Sequence, residues 1–412
     1  MRELSSYEKL FTRMAEQYVR QCHPGSSFKF FFDTVGYPKI GSGKKVVKVP
    51  FKNSPKVFER IFTEGSLGLG ESYCEGLIQV KDDEYKDFLA IFVSAAYDKK
   101  VIKRLPWLDA FRLLKARSKH IFFTSNSNRK DLNSHYSLNN WFSNEDDANK
   151  FYLYWLDKKY VQYTCAMWYK GTKTLEEAQR NKFELYAKEL GIDKHSKGKR
   201  LLDLGCGWGG PMFYLSQKYG VICEGINLST AQTKYINDEA KKRRLPVSCK
   251  NISAHDMSGQ YDYILSIGML EHIRDYDDLF KKTASCLKPN GKALFHAIFR
   301  YSRFAKTDSF LSKYVFPGGK TPNLQRTLRT LKKYFKHIKE HPLPDLSYEK
   351  TLDCWYAAFC KEEKNIRQLL KTKGKCKDVD YAIRIFKHYL VMCSIGHGIT
   401  NYMHYVVLSN GK

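Results

Sequence analysis

The chain reads as an α/β protein, a doubly wound parallel sheet with helices on both faces, preceded by a smaller α+β domain. Three observations predict this. From Lys199 onward, apolar strand-like runs alternate with helical patterns, the order that gives parallel strands joined by crossover helices. The first run ends in a glycine-rich turn, Asp203-Leu-Gly-Cys-Gly-Trp-Gly209, and helical periodicity follows from Met212. The length, 412 residues, exceeds what one ordinary domain needs.

In chain order, residues 1–98 mix helical and strand-like patches. Phe28 to Phe32 and Lys45 to Phe51 are predicted strands, and Pro55 to Thr63 and Asp83 to Tyr97 predicted helices. Residues 99–134 are basic, then Ser/Asn-rich at Thr124 to Asn128, with Pro106 as a breaker, and are assigned as a linker. Within them Ile102, Leu105, Leu108, Phe111 and Leu114 recur at helical spacing among Lys103, Arg104, Arg112 and Lys115. That pattern suits a helix lying on lipid headgroups and equally a helix docked on its own domain. Residues 135–412 are assigned to one larger domain. Its predicted strands are Lys199 to Leu204, Gly220 to Asn227, Val247 to Asn251, Tyr261 to Ile267 and Gly291 to Phe299. Its helices include Pro211 to Tyr219, a helix capped by Ser229, and Asp277 to Cys286. His404 to Leu408 is expected as a terminal antiparallel strand.

Composition narrows the class. Apolar residues make up 43% of the chain, and no run approaches the ~18 uninterrupted apolar residues of a membrane-spanning helix. The N-terminus lacks the apolar core of a secretory signal. Eleven cysteines occur singly, without a Cys-x-x-Cys pair, which argues against structural zinc and for reduced thiols in the cytoplasm. The formal charge of +27 favours an anionic partner, nucleic acid or an anionic lipid surface.

Glycines are needed after the first strand because the backbone must turn tightly and approach a ligand without side chains in the way. A dinucleotide fingerprint places its third glycine three residues after the second; here it comes two after. The Asp-x-Gly-x-Gly-x-Gly form resembles the S-adenosylmethionine loop of Rossmann-like class I methyltransferases. It implies Gly205 and Gly207 beneath the methionine part of that cofactor, with Asp203 fixing the loop or reaching the amino group. Asn227 and Gln232, after the second strand, would face the ribose.

Further segments resemble the cyclopropane-fatty-acyl-phospholipid synthases over nearly the whole chain. They are Ser66-Leu-Gly-Leu-Gly-Glu-Ser-Tyr-Cys-Glu-Gly76, His135-Tyr-Ser-Leu-Asn-Asn140, Gln162-Tyr-Thr-Cys-Ala166, Thr174-Leu-Glu-Glu-Ala-Gln179, Ile267-Gly-Met-Leu-Glu-His272 and Phe316-Pro-Gly-Gly319. Ser137, Leu270, Arg274 and Ser253-Ala-His255 depart from that family's pattern, around the cofactor and acyl pockets. The resemblance implies an enzyme that adds a methylene from S-adenosylmethionine to the cis double bond of an unsaturated phospholipid. It also implies residues 1–98 as a lipid-associated domain and a peripheral position on an anionic membrane surface. A homodimer is left open as an assembly.

Such a reaction leaves a positive charge on the acyl chain, and a fixed base must take a proton from the transferred methyl with water excluded. In the family that base is bicarbonate. The positions matching its holders are Cys165, Glu271, His296, Ile298 through its backbone amide, and Tyr348. Tyr163 and Thr164 match lids on the methionine carboxylate end. From the residues alone, Cys165 also reads as an inert buried thiol, Glu271 as a helix cap and His296 as a core histidine. Methyl branching of a lipid chain and small-molecule N-methylation are the nearest alternatives. Nucleic-acid methylation is excluded as a reading because neither an Asn/Asp-Pro-Pro-Tyr motif nor a Pro-Cys nucleophile occurs.

Overall fold

A computed structural model describes residues 2–21, 23–97, 104–109, 111, 141–301, 308–317 and 319–410. Two compact units emerge. One comprises Met1–Trp141, Asp308–Pro317 and Phe359–Ile399; the other comprises Phe142–Thr307, Gly318–Ala358 and Thr400–Lys412. This corrects the contiguous division into 1–98, 99–134 and 135–412. The helices Ser309–Tyr314 and Val379–Ile399 lie far along the chain yet pack on Ser66–Cys74, and the latter also on Asp82–Tyr97. Their apolar faces are covered within the N-terminal unit.

In that first unit Phe28–Phe32 pairs in parallel with Val47–Phe51 and antiparallel with Val35–Gly36. Alternation places Phe28, Phe30, Phe32, Val47, Val49 and Phe51 on one buried face, the period-two pattern of a half-covered sheet. Phe11, from the additional helix Ser6–Gln21, packs its ring against Phe30, Phe51 and Phe58. The Ser66–Gly76 motif forms the buried helix Ser66–Cys74. A Cβ on Gly70 would stand 2.3 Å from the Phe310 ring, so only glycine admits that neighbour. Glu71 accepts hydrogen bonds from Lys313 (2.6 Å) and Tyr314 (2.5 Å), and from Arg60. These partners hold its carboxyl below the usual range against the effect of burial. This motif builds the unit's core.

The second unit is built on a seven-stranded sheet. Its strands, in spatial order, are Val247–Lys250, Ile222–Ile226, Arg200–Leu204, Tyr261–Ile267, Leu287–Ile298, Met403–Ser409 and His337–Pro342. The first five are parallel, and Met403–Ser409 runs antiparallel to both neighbours. The predicted strands are all present within a few residues. His337–Pro342 is added, an edge strand whose charged sequence gives no apolar alternation. Chain order reverses between Arg200–Leu204 and Tyr261–Ile267, and in open α/β sheets ligands bind at the carboxyl end of such a switch point. Both the glycine loop and the segment carrying Glu271 leave the sheet there.

Among the described residues, no helix is long and apolar enough to cross a membrane. Most of the predicted basic segment 99–134, and the His135–Asn140 motif, lie outside the described residues. Residues 107–109 and 111 are helical. There Leu105 is buried and Asp109 binds Arg13 at 2.6 Å, while Trp107, Leu108 and Phe111 are 76%, 49% and 59% exposed.

Candidate active site

Asp203, next to last in the strand Arg200–Leu204, is fully buried, and its Oδ2 has no hydrogen-bond partner among the described residues. Burial pushes its carboxyl up to about 8, with the Cys249 thiol adding to the shift and Lys182 opposing it. A buried carboxylate oxygen without a donor is costly, which marks a place where an ammonium or hydroxyl fits. Gly205 and Gly207 both adopt positive φ, +72° and +55°, and a Cβ on Gly207 would meet no atom within 4 Å. The loop therefore leaves an open cradle over Gly207. Asn227 Nδ2 donates to the Gly207 carbonyl (3.1 Å) and to Gln232 Oε1 (2.8 Å), so the two polar residues predicted for the ribose do stand together. Ser229 caps the following helix by accepting from the Gln232 amide at 3.2 Å.

The Gln162–Cys165 segment crosses the end of the sheet. It begins in a turn organised by Asp157, whose carboxylate accepts from the amides of Tyr160, Val161 and Gln162 at 2.6, 3.2 and 2.8 Å. These bonds hold Val161 at φ +50°, a conformation that costs a β-branched residue of order 1–3 kcal/mol. Tyr163 sits among the rings of Tyr152, Trp155 and Trp355, with centroids 5.1–5.4 Å away. Thr164 lies against the end of Tyr261–Ile267, where a Cβ on Gly268 would come 3.0 Å from its Cγ2. The Cys165 thiol donates to the Ala166 carbonyl at 3.2 Å, and burial pushes it well above the ordinary thiol range. It is a thiol, not a thiolate. Behind it, Thr351 Oγ1 accepts from the Ala166 amide and the Trp168 indole, both at 3.1 Å, and Ser347 Oγ accepts from the Trp168 amide at 3.2 Å. Tyr348 lies beside Ser347 and packs on the same core as Cys165. Its helix runs from Ser347 to Lys361.

Glu271 lies in the 3-10 turn Leu270–His272 and does not cap a helix. Its Oε1 accepts from the Ile298 amide at 2.7 Å, while Oε2 is buried without a hydrogen-bond partner among the described residues. Burial raises its carboxyl to about 7 despite the Ile298 bond. The resemblance assigns the Ile298 amide to a bound ion; here Glu271 itself holds it. His296 stands two residues before Ile298 on the same strand, buried, with Nδ1 against the Tyr186 hydroxyl and Nε2 without a hydrogen-bond partner among the described residues. Burial, then the positive charge of Lys182, drives its pKa well below the ordinary value, so it is neutral. The Tyr186 phenol is pushed far up by burial and keeps its proton. Donating that proton to Nδ1 leaves Nε2 as the N–H, a donor for an oxyanion.

The family described as mycolic acid cyclopropane synthetase matches residues 125–403. The chain belongs to that family. It is 29% identical over 359 residues to the cyclopropane-fatty-acyl-phospholipid synthase of Escherichia coli strain K12, covering 86% of this chain and 85% of that one. Its fold is that of the cyclopropane synthase MmaA2 from Mycobacterium tuberculosis (TM-score 0.57, 24% identity, 66% of this chain and 96% of that one). It is also that of a coclaurine N-methyltransferase (TM-score 0.60, 19% identity, 84% and 99%). The Rossmann-like methyltransferase architecture expected from the sequence is therefore present.

Residues of this synthetase family member that sequence reasoning overlooked lie on the helix Leu175–Leu190. Gln179 donates to the Thr164 carbonyl at 3.1 Å, Lys182 to the Thr164 hydroxyl at 2.7 Å, and Tyr186 meets His296. Positions 179, 182 and 186 fall on one helical face, and all three side chains are buried. Three polar groups on an otherwise apolar stripe was the available signal. The departing segment Ser253-Ala-His255 opens a 3-10 turn whose His255 pairs with Asp278 at 2.6 Å.

Proposed function

We propose that this protein adds a methylene from S-adenosylmethionine to the cis double bond of an unsaturated phospholipid acyl chain, giving a cyclopropane, with bicarbonate as the base. Membership of the cyclopropane synthetase family supports the reaction class. The observation that carries the chemistry is the pair of buried, partnerless polar atoms, Glu271 Oε2 and His296 Nε2. A carboxylate oxygen and a neutral imidazole N–H together offer one acceptor and one donor, the set that orients a hydrogencarbonate through its hydroxyl and an oxyanion oxygen. The cofactor supplies an electrophilic methyl group. The chain's own groups do the rest. Gly205 and Gly207 leave space for backbone contact, Asp203 Oδ2 receives an ammonium, and Asn227 with Gln232 faces hydroxyls. Tyr163 and its aromatic neighbours present ring faces that favour nearby positive charge. The Cys165 thiol and the Tyr348 ring close the site against water.

The enzyme would work as a peripheral protein at a cytoplasmic, anionic membrane surface. Its charge of +27 and the exposed Trp107, Leu108 and Phe111 beside Arg104 support this reading. Mass spectrometry of lipids from cells expressing the chain tests the reaction, with a gain of one CH2 on unsaturated phospholipids expected. NMR of the product separates a ring from a methyl branch. Unchanged lipids together with methylation of an added amine would replace this reading by small-molecule N-methylation.

A further inference from the structure

Lys182 is a charged residue of the site whose chemistry the proposed reaction does not use. Its side chain is completely buried, yet among the described residues no carboxylate stands within ion-pair distance of Nζ. Its hydrogen-bond partners are neutral. Nζ donates to Thr164 Oγ1 (2.7 Å) and to Gln162 Oε1 (3.3 Å), and lies 5.5 Å from the Phe183 ring centroid. An ammonium group has three protons to place, and a buried cation with no anion is among the most expensive arrangements a fold retains. Thr164 Oγ1, in accepting from Lys182, keeps its own proton to donate onward, and Thr164 is only half-buried.

We propose that Lys182 is the counter-cation for a carboxylate-type anion that enters the site at Thr164, with the Thr164 hydroxyl relaying its charge. Two sources share that chemistry: the methionine carboxylate of the cofactor, and bicarbonate. The assignment rests on the cofactor and base reading given above. Lys182 is a positioning residue acting through Thr164. The groups that surround it are the Asp157 carboxylate, occupied by three backbone amides, the Asp203 carboxyl, the Cys165 thiol and the neutral His296, with Tyr186 one turn along its own helix. Burial lowers the Lys182 pKa to about 7, and Cys165, Asp157 and Asp203 only partly offset this. An arriving anion raises it again, so binding above neutrality takes up a proton.

The test is calorimetry at pH 8 in two buffers of different ionisation heat, using the full chain. S-adenosylhomocysteine, 5′-methylthioadenosine (which lacks the amino-acid part) and sodium bicarbonate are the three probes. If the cofactor carboxylate is the anion, S-adenosylhomocysteine binds with uptake of up to about one proton and methylthioadenosine with none. Lys182→Met then weakens the former at least tenfold and leaves the latter unchanged. If bicarbonate is the anion, Lys182→Met instead abolishes bicarbonate binding and its proton uptake, with both nucleosides unaffected. Thr164→Val, which removes only the relaying hydroxyl, serves as the second variant and should reproduce the loss in smaller measure. A Lys182→Met protein that binds all three probes like wild type, with the same proton balance, overturns the proposal. Wild-type protein that binds neither nucleoside overturns the cofactor reading beneath it.

Discussion

Ile298 donates its amide hydrogen to Glu271 Oε1 at 2.7 Å, tying the end of the strand Leu287–Ile298 to the 3-10 turn after the neighbouring strand. One carboxylate oxygen is thereby fixed while the other stays buried and open. The bond orients Oε2 without consuming it. It also ties the amide and the carboxylate together as one unit.

The first prediction concerns that carboxyl group. Its pKa is raised from 4.5 to about 7 by burial, so the folded protein binds more protons than the unfolded chain between those values. Stability therefore falls as pH rises across that window, by about 3 kcal/mol in full above it. Glu271→Gln keeps the acceptor for Ile298 and removes the titration. Thermal melts should show the variant matching wild type near pH 4.5 and exceeding it at pH 8. Its activity should drop by up to roughly 10²–10⁴-fold, the range for losing a general base, because the proposed bicarbonate base loses the carboxylate that holds it. A variant less stable than wild type at pH 8 contradicts the assignment.

Gly207 is the second. Its φ of +55° strains any L side chain, but among the described residues no atom beyond its two chain neighbours lies within 4 Å of an added Cβ. Gly207→Ala should cost about 1 kcal/mol of stability while filling the cradle a ligand needs. Calorimetry should find S-adenosylhomocysteine binding reduced at least tenfold in a protein with an unaltered circular dichroism spectrum. Unchanged affinity removes the glycine loop from the cofactor site.

Gly225 tests packing beneath the loop. A Cβ there would stand 2.6 Å from Cys206 Sγ and 2.8 Å from Met212 Cε. Cys206 is itself hemmed in, its sulfur 3.6 Å from that of Cys249. Gly225→Ala should destabilise the protein by about 1–3 kcal/mol, the usual penalty of overpacking, and loosen cofactor binding through Cys206. Urea denaturation measures the first effect.

The fourth prediction addresses the membrane. Trp107 is 76% exposed beside Leu108 and Phe111, and insertion into the interface should shift its fluorescence to the blue on adding anionic vesicles. The difference spectrum between wild type and Trp107→Phe isolates that signal from the other tryptophans. Charge reversal at Lys103, Arg104, Arg112 and Lys115 should weaken vesicle binding, and rising salt should do the same. Equal binding to neutral vesicles argues that the basic residues have another purpose.

Periodicity and glycine spacing by themselves determined the strands of the large sheet and the loop at Gly205 to Gly209, because these follow from local backbone geometry. The polar pair Asn227 and Gln232, and Cys165, Glu271, His296 and Tyr348, were singled out only by resemblance to a family, not by local pattern. What only the tertiary structure decided depends on contacts between distant segments. Val379–Ile399 joins the N-terminal unit because its apolar face finds its complement there, and no local pattern encodes a partner three hundred residues away. Lys182 reads as an ordinary helical lysine, and its cost is visible only once Gln162 and Thr164 fold over it and water is gone. Burial, which sets the charge on Glu271, Asp203 and His296, belongs to the assembled core. It is decided by the summed exclusion of solvent around each group, a quantity that no stretch of sequence carries.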